Sequence, residues 1–80
     1  MKKLIKMPKL SADMKTGIIV LWNKKTGDEI KKGEIIFEVE TDKVVSEVES
    51  VDSGILKETF FEEGDAAGVD ETIAVLDTEE

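Results

Sequence analysis

Apolar residues fall in short bursts rich in β-branched side chains: Leu4-Ile5, Ile18 to Trp22, Ile35 to Val39, Val44 to Val48, Ile55 to Phe61 and Ile73 to Leu76. Two of these bursts repeat with a period of two. Ile35, Phe37 and Val39 alternate with Ile36, Glu38 and Glu40, and Val44, Ser46 and Val48 alternate with Val45, Glu47 and Glu49. Successive side chains of a strand point to opposite faces, so this is the pattern of half-buried strands. Nowhere do apolar residues recur at three-and-four spacing for the length a helix needs. Gly17, Gly27-Asp28, Gly33, Gly54 and Gly64-Asp65 punctuate the bursts at turn positions. The pattern predicts an all-β chain of about seven or eight short strands.

The chain also repeats itself. A slide of 37 residues places Gly17-Ile18 on Gly54-Ile55, Gly27-Asp28 on Gly64-Asp65, and Glu34, Ile36 and Thr41 on Glu71, Ile73 and Thr78. Val39/Leu76 and Glu40/Asp77 are near matches. Two similar halves in so short a chain predict two sheets related by an approximate two-fold axis, with a core that needs both. The strand from Ile35 to Val39 runs into a turn around Thr41-Asp42-Lys43, whereas its counterpart from Ile73 runs towards the C-terminus. A two-fold puts equivalent points at opposite edges, so the turn is expected far from the chain end.

Composition narrows the chemistry. Eighty residues hide only about 60–65% of the surface their unfolded form exposes, which allows one small core and no deep cleft. With no cysteine and no histidine, disulfides, zinc ribbons, thiol catalysis and histidine-activated serines are excluded. Eleven basic against 19 acidic residues give a net charge of −8, which opposes nucleic-acid binding and suits contact with basic protein surfaces. No apolar run approaches the ~20 residues that span a bilayer, so no membrane partner is expected. Met1 to Lys6 has a basic tip without the long apolar middle of a signal peptide, so the expected location is the cytoplasm, or the mitochondrial matrix in a eukaryote.

The stretch Glu38-Val39-Glu40-Thr41-Asp42-Lys43-Val44-Val45 is where function is sought. Two strands with matching alternation flank a short polar turn, as in a hairpin. One lysine projects from that turn, with no other between Lys32 and Lys57. A turn tip held by two strands is both accessible and rigid, so a modifying enzyme can find one lysine among eleven there by geometry. The plain alternative is a solvated surface turn whose lysine offsets Glu40 and Glu47.

The wider order of residues favours the specific reading. Met7-Pro8-Lys9-Leu10, Gly17, Trp22, Gly27-Asp28, Lys32-Gly33-Glu34, Glu38-Val39-Glu40-Thr41-Asp42-Lys43, Gly54 and Glu63-Gly64-Asp65 together resemble the lipoyl domain of 2-oxo acid dehydrogenase complexes, over about residues 4–77 of a single domain 1–80. The resemblance implies a flattened β-barrel of two four-stranded antiparallel sheets. It implies lipoic acid in amide linkage to Lys43, with Asp42, Thr41, Glu40 and Val44 as recognition residues and no catalytic or metal-binding residue. The loop from Ser11 to Thr16 is implied to lie near the turn and contribute to partner choice. Implied partners are a lipoate ligase or lipoyl transferase, a thiamine-diphosphate-dependent decarboxylase, an acyltransferase catalytic domain and dihydrolipoamide dehydrogenase. The isolated domain is expected to be a monomer. Amidation would remove the charge of Lys43 and leave Glu38, Glu40, Asp42, Glu47 and Glu49 to dominate the local field.

Pyruvate is the expected 2-oxo acid, since it is the commonest. The parent chain is expected to be an acyltransferase, with the flavoprotein dehydrogenase as the alternative. One departure from the family pattern is Asp70, which stands where the second half commonly has the glycine equivalent to Gly33. Aspartate tolerates left-handed dihedrals, so that turn is expected to survive with local adjustment between Ala66 and Glu71. A biotin carrier has the same fold, but that family flanks its lysine with methionine where this chain has Asp42 and Val44. The glycine-cleavage carrier has extra segments for which there is no room. An oxygen-ligated metal site of Glu38, Glu40, Asp42 and Glu47 lacks the spacing of a calcium loop and reads as a solvated acidic face. An unmodified interaction module is the alternative of a different class. Trp22, Phe37, Phe60 and Phe61 read as packing, with one of Phe60 and Phe61 facing out.

Overall fold

The computed structural model describes residues 1–78; residues 79 and 80 of the predicted 1–80 domain lie outside the described part. Eight strands form: β1 (Lys2–Lys6), β2 (Thr16–Trp22), β3 (Glu29–Ile30), β4 (Ile35–Thr41), β5 (Val44–Glu49), β6 (Gly54–Thr59), β7 (Ala66–Gly68) and β8 (Thr72–Asp77). No helix occurs among the described residues. The strands make two four-stranded antiparallel sheets, ordered β1-β8-β6-β3 and β5-β4-β2-β7. The all-β expectation and the two-sheet barrel both hold.

The two orders become identical when β1 is exchanged with β5, β8 with β4, β6 with β2 and β3 with β7. The 37-residue repeat is therefore the two-fold of the fold, down to its irregularities. In the β2–β4 pair Ile19 faces Val39 and Leu21 faces Glu38, leaving Val20 as an extra residue. In β6–β8 Leu56 faces Leu76 and Glu58 faces Val75, leaving Lys57 extra at the equivalent place. Such one-residue bulges bend a strand and increase its twist, which a small closed sandwich needs at its corners.

Repeat pairs also fill the core. Ile19/Leu56, Ile30/Ala67, Ile36/Ile73, Phe37/Ala74 and Val39/Leu76 are all buried, and Met7 and Met14 complete the cluster. Trp22 packs on Phe37 with ring centroids 5.1 Å apart. The Trp22 indole N–H donates to the Phe61 carbonyl at 3.1 Å, while Phe60 is half exposed to solvent. The aromatics are packing, as expected.

One strand departs from the simple alternation. Between β4 and β5 the register passes from Ile35–Glu49 to Phe37–Val48, so Ile36 is a bulged residue. It turns into the core beside Phe37, and Ile35 is only half-buried. The expectation that Ile36 shares a face with Glu38 and Glu40 is thereby corrected. Val44 is likewise exposed, although Ser46 and Val48 in the same phase are half-buried. It sits at the tip of an edge strand, where no further strand covers it.

The halves hold each other through main-chain hydrogen bonds at equivalent turns. Gly27 N donates to Leu56 O (2.7 Å) and Leu56 N to Asp28 O (2.9 Å); reciprocally, Gly64 N donates to Ile19 O (2.6 Å) and Ile19 N to Asp65 O (2.9 Å). The Asp28 and Asp65 carboxylates each accept the amide three residues back, from Lys25 and Glu62, at 2.8 Å. The second pair of turns matches as closely. Gly33 N donates to Ser50 O and Asp70 N to Met7 O, at 2.8 and 2.9 Å. Asp70 adopts φ 72° where Gly33 adopts 93°, so aspartate supplies the left-handed residue and the turn keeps its shape. The Lys31 amide and then the Lys24 ammonium hold the Glu34 carboxyl below the usual carboxylate range. That contribution to stability is present at neutral pH and is lost as acidification protonates Glu34.

These geometries separate two kinds of glycine. At Gly33 a Cβ has open space around it but the backbone is left-handed, so Gly33→Ala costs strain alone, about 1 kcal/mol. At Gly54 the dihedrals are ordinary, but a Cβ would run into the Asp77 carbonyl and the Thr78 backbone, so Gly54→Ala forces strands apart and costs about 2–3 kcal/mol. Urea unfolding of the two variants should show the larger loss at Gly54.

Candidate functional site

The β4–β5 hairpin ends in a two-residue turn. Thr41 pairs with Val44, and Asp42 and Lys43 between them adopt φ 46° and 66°. Positive φ at both central residues is the type I′ geometry, whose twist matches that of the flanking strands and which usually takes Asn-Gly. Aspartate accepts this conformation readily. Lysine does not, and holding its backbone there costs roughly 1 kcal/mol. The Lys43 side chain is therefore carried on a strained backbone.

The support beneath the turn comes from β2 and the loop before it. A Cβ on Gly17 would lie 2.5 Å from Val39 Cγ1, 3.0 Å from Met14 Cε and 3.4 Å from Thr41 Cγ2. Only glycine lets β2 pass this close to the base of the hairpin. Met14 is buried there, with its amide donating to Ser11 O and the Leu10 amide to its sulfur, both at 3.2 Å. The Lys15 carbonyl accepts from Val69 N at 3.0 Å. The loop is thus pinned beside the turn, as expected, and its anchor is Met14. No pattern in the sequence singled out Gly17 and Met14 as the support, because their meeting depends on how β2 crosses β4.

Of the five predicted site residues, Asp42, Lys43 and Val44 are exposed at the tip, while Thr41 and Glu40 are half-buried in β4 and point to opposite faces. Lys43 makes no ion pair among the described residues, although acidic side chains surround the turn; the pairs present are Met1–Asp77, Lys24–Glu34 and Lys57–Asp77. Its amine is exposed, and no described residue pairs with it. Met1 and Thr78 meet elsewhere. Met1 N donates to Thr78 O and Thr78 N to Met1 O, both at 2.7 Å, at the corner equivalent to Thr41–Val44 on the other sheet. The turn presents one exposed primary amine at its tip.

A fold of two equivalent sheets with a single lysine on one hairpin tip defines a class of covalent carrier domains. The Biotin_lipoyl family model, described as "Biotin-requiring enzyme", matches residues 3–76. The chain belongs to the biotin/lipoyl attachment family, and its relatives place it among the lipoyl domains. It is 44% identical over 72 residues to the dihydrolipoyllysine-residue succinyltransferase component of the 2-oxoglutarate dehydrogenase complex of Staphylococcus saprophyticus, covering 90% of this chain and 17% of that protein. It is 47% identical over 76 residues to the acetyltransferase component of the pyruvate dehydrogenase complex of Rickettsia typhi, covering 94% of this chain and 19% of that one. The solution structure of the lipoyl domain of the 2-oxoglutarate dehydrogenase complex of Azotobacter vinelandii superposes with a TM-score of 0.78 at 35% identity, covering 94% of this chain and 95% of that one. The chain thus spans less than a fifth of the curated relatives and nearly all of a solved lipoyl domain.

The strained turn yields a direct test. Lys43→Gly removes the left-handed strain and should raise unfolding stability by about 0.5–1 kcal/mol, despite deleting the amine. Asp42→Ala loses the residue that tolerates φ 46° and should cost about 1 kcal/mol, whereas Asp42→Asn should be near neutral. Chemical denaturation of the three variants measures each difference.

Proposed function

We propose that this domain is a lipoyl carrier: Lys43 bears lipoic acid in amide linkage, and the arm moves acyl groups and electrons among the active sites of a 2-oxo acid dehydrogenase complex. The observation that carries the reading is the solitary, unpaired Lys43 amine on the type I′ tip. A lysine at such a point fits an amide-linked arm, because the side chain needs no pocket and nothing beside it must be displaced. When attached, the dithiolane supplies the sulfur chemistry this cysteine-free chain lacks, accepting an acyl group at a thiamine-diphosphate-dependent decarboxylase, yielding it at an acyltransferase domain and being reoxidised by dihydrolipoamide dehydrogenase. The chain's own contribution is position. The hairpin fixes where the arm is rooted, the Gly17–Met14 support stiffens that root, and Thr41, Asp42, Val44 and Glu40 give a lipoate ligase or lipoyl transferase a defined shape to read.

On this reading the domain is no enzyme by itself, and its parent is an acyltransferase chain, as the acetyl- and succinyltransferase relatives suggest. The 2-oxo acid is pyruvate, with 2-oxoglutarate as the competing assignment. Neither a biotinyl arm nor an unmodified surface turn accounts as well for Asp42 and Val44 beside the lysine and for the lipoyl-protein relatives.

Incubation of wild type and Lys43→Arg with lipoate ligase, ATP and lipoate, followed by intact mass, should give one lipoyl adduct on the wild type and none on the variant. An adduct on another lysine, or a biotinyl adduct on protein from its native cell, would overturn the assignment. Inserting one glycine between Asp42 and Lys43 keeps the lysine exposed but breaks the two-residue turn, and modification should fall sharply while a cooperative melt persists. Acylation of the lipoylated domain by pyruvate and by 2-oxoglutarate decarboxylases then distinguishes the two complexes.

A further inference from the structure

The two-fold exchanges Gly17 with Gly54 and Thr41 with Thr78, so each glycine stands at the same place on its own sheet. What fills the space beside them differs. Nine residues, 7–15, connect β1 to β2, whereas four, 50–53, connect β5 to β6. The residue three before each glycine meets an opposite fate: Met14 is 7% exposed and Val51 is 77% exposed. Val51, Gly54 and Thr78 help to line an open groove of about 500 Å3, and a Cβ on Gly54 would first meet main-chain atoms of Asp77 and Thr78. Beside Gly17 the space holds side chains. Met14 Cε and Thr41 Cγ2 lie 3.0 and 3.4 Å from the Gly17 Cβ position, and the Leu10 amide donates to the Met14 sulfur at 3.2 Å.

The two corners also differ in what they must hold. Thr41 opens the two-residue turn whose Lys43 backbone is left-handed, whereas Thr78 is joined to Met1 by hydrogen bonds with no turn between them among the described residues. Ordering a methionine costs side-chain entropy, and the protein bears that cost at the corner with the strained turn. Methionine fills irregular space well, and a side chain packed beside Gly17 and Thr41 limits the ways in which the turn can relax.

We propose that Met14 is a positioning residue for the attachment of lipoate to Lys43, bracing Thr41 so that the Asp42-Lys43 turn keeps the conformation a lipoate ligase binds. The inference rests on the carrier reading of Lys43 and adds to it a residue with no reactive chemistry of its own. In the attachment step the neutral Lys43 amine forms a C–N bond to the lipoate carboxyl, activated by ATP as its adenylate, and the acyl–phosphate bond breaks to release AMP and a proton. Here the reacting atom belongs to the turn residue itself, so the backbone beneath it sets where the amine can go. In later steps the reacting sulfurs lie at the end of a long flexible arm, which uncouples them from the turn. Attachment is therefore the step that a brace under the turn governs.

The experiment compares two methionines of one core. Met14→Ala and Met7→Ala delete the same atoms, but Met7 is buried at the Asp70 turn, whose amide donates to its carbonyl at 2.9 Å. Both variants should melt at a lower temperature than wild type. With lipoate ligase, ATP and lipoate, at a temperature where every variant is folded, Met14→Ala should raise KM for the unmodified domain about fivefold and leave kcat nearly unchanged. A turn released from its strained conformation is competent only part of the time, and that fraction scales the apparent affinity. Met7→Ala should match wild type, and Met14→Leu, which restores the volume, should bring KM back to within about twofold. Amide hydrogen exchange at residues 41–44 should quicken in Met14→Ala and not in Met7→Ala. Should Met14→Ala not fold, Met14→Val, which puts the residue of the second corner at the first, takes its place with the same expectation. Equal KM for the Met14 and Met7 variants, both raised or both unchanged, would overturn the role, since Met14 would then be core and nothing more. A defect confined to acylation of the already lipoylated protein would assign Met14 to another partner and overturn it equally. If wild type itself takes no lipoate, the carrier reading of Lys43 fails and this role falls with it, a result distinct from equal ligation of all variants.

Discussion

The reciprocal hydrogen bonds between Gly27-Asp28 and Leu56, and between Gly64-Asp65 and Ile19, are the constraint from which the rest of the structure follows. Each turn belongs to one half of the chain and closes on a buried strand of the other. Ile19 and Leu56 are at once core residues and the partners of these turns, so side-chain burial and main-chain pairing are satisfied together. A half folded alone would leave both its turn and its apolar face without a partner, and buried or half-formed main-chain groups without hydrogen bonds are costly. The domain is therefore one cooperative unit despite having two similar parts. That cooperativity lets so small a core hold its edges in fixed positions.

Rigidity reaches the hairpin tip along a short path. β4 is the shared neighbour of β2 and β5, and Val39 in its interior is fully buried against the closely approaching Gly17. With the base of the hairpin fixed, the two-residue turn has little freedom, and Asp42 and Lys43 are held left-handed although lysine disfavours it. An unsupported loop would relax out of that conformation. The strain is small beside the stability of the folded domain, and it fixes the direction in which the lysine leaves the surface.

Much of this architecture was legible in the residues because backbone geometry restricts them. The repeat survived at Gly27/Gly64 and Asp28/Asp65, where a positive φ and a carboxylate accepting an amide are required, and at Ile36/Ile73 in the core. The hairpin showed through its alternation, and the lysine through its isolation. Bulges did not show. Val20, Ile36 and Lys57 are chemically ordinary, and their status as extra residues arises from pairing with distant strands, which a local period of two cannot encode. Hence a period of two places Ile36 on the wrong face. The same limit hid Met14 and Gly17, whose contact is tertiary, and the contrast between Glu40 and Asp77, since the repeat aligns the two acids while only the fold supplies Asp77 with cations.

The two-fold makes two equivalent corners, and the molecule uses them differently. At one, Thr41 and Val44 are bridged by Asp42-Lys43. At the other, Thr78 and Met1 exchange the same kind of closing hydrogen bonds, with no covalent turn between them among the described residues. A chain continuing past Thr78 must leave from this second corner. The two-fold places the two corners on different sheets. On the carrier reading, an arm on Lys43 leaves from the hairpin corner and not from the corner where Met1 and Thr78 meet. The repeat that builds the core therefore also separates the lysine-bearing turn from the corner where Met1 and Thr78 meet.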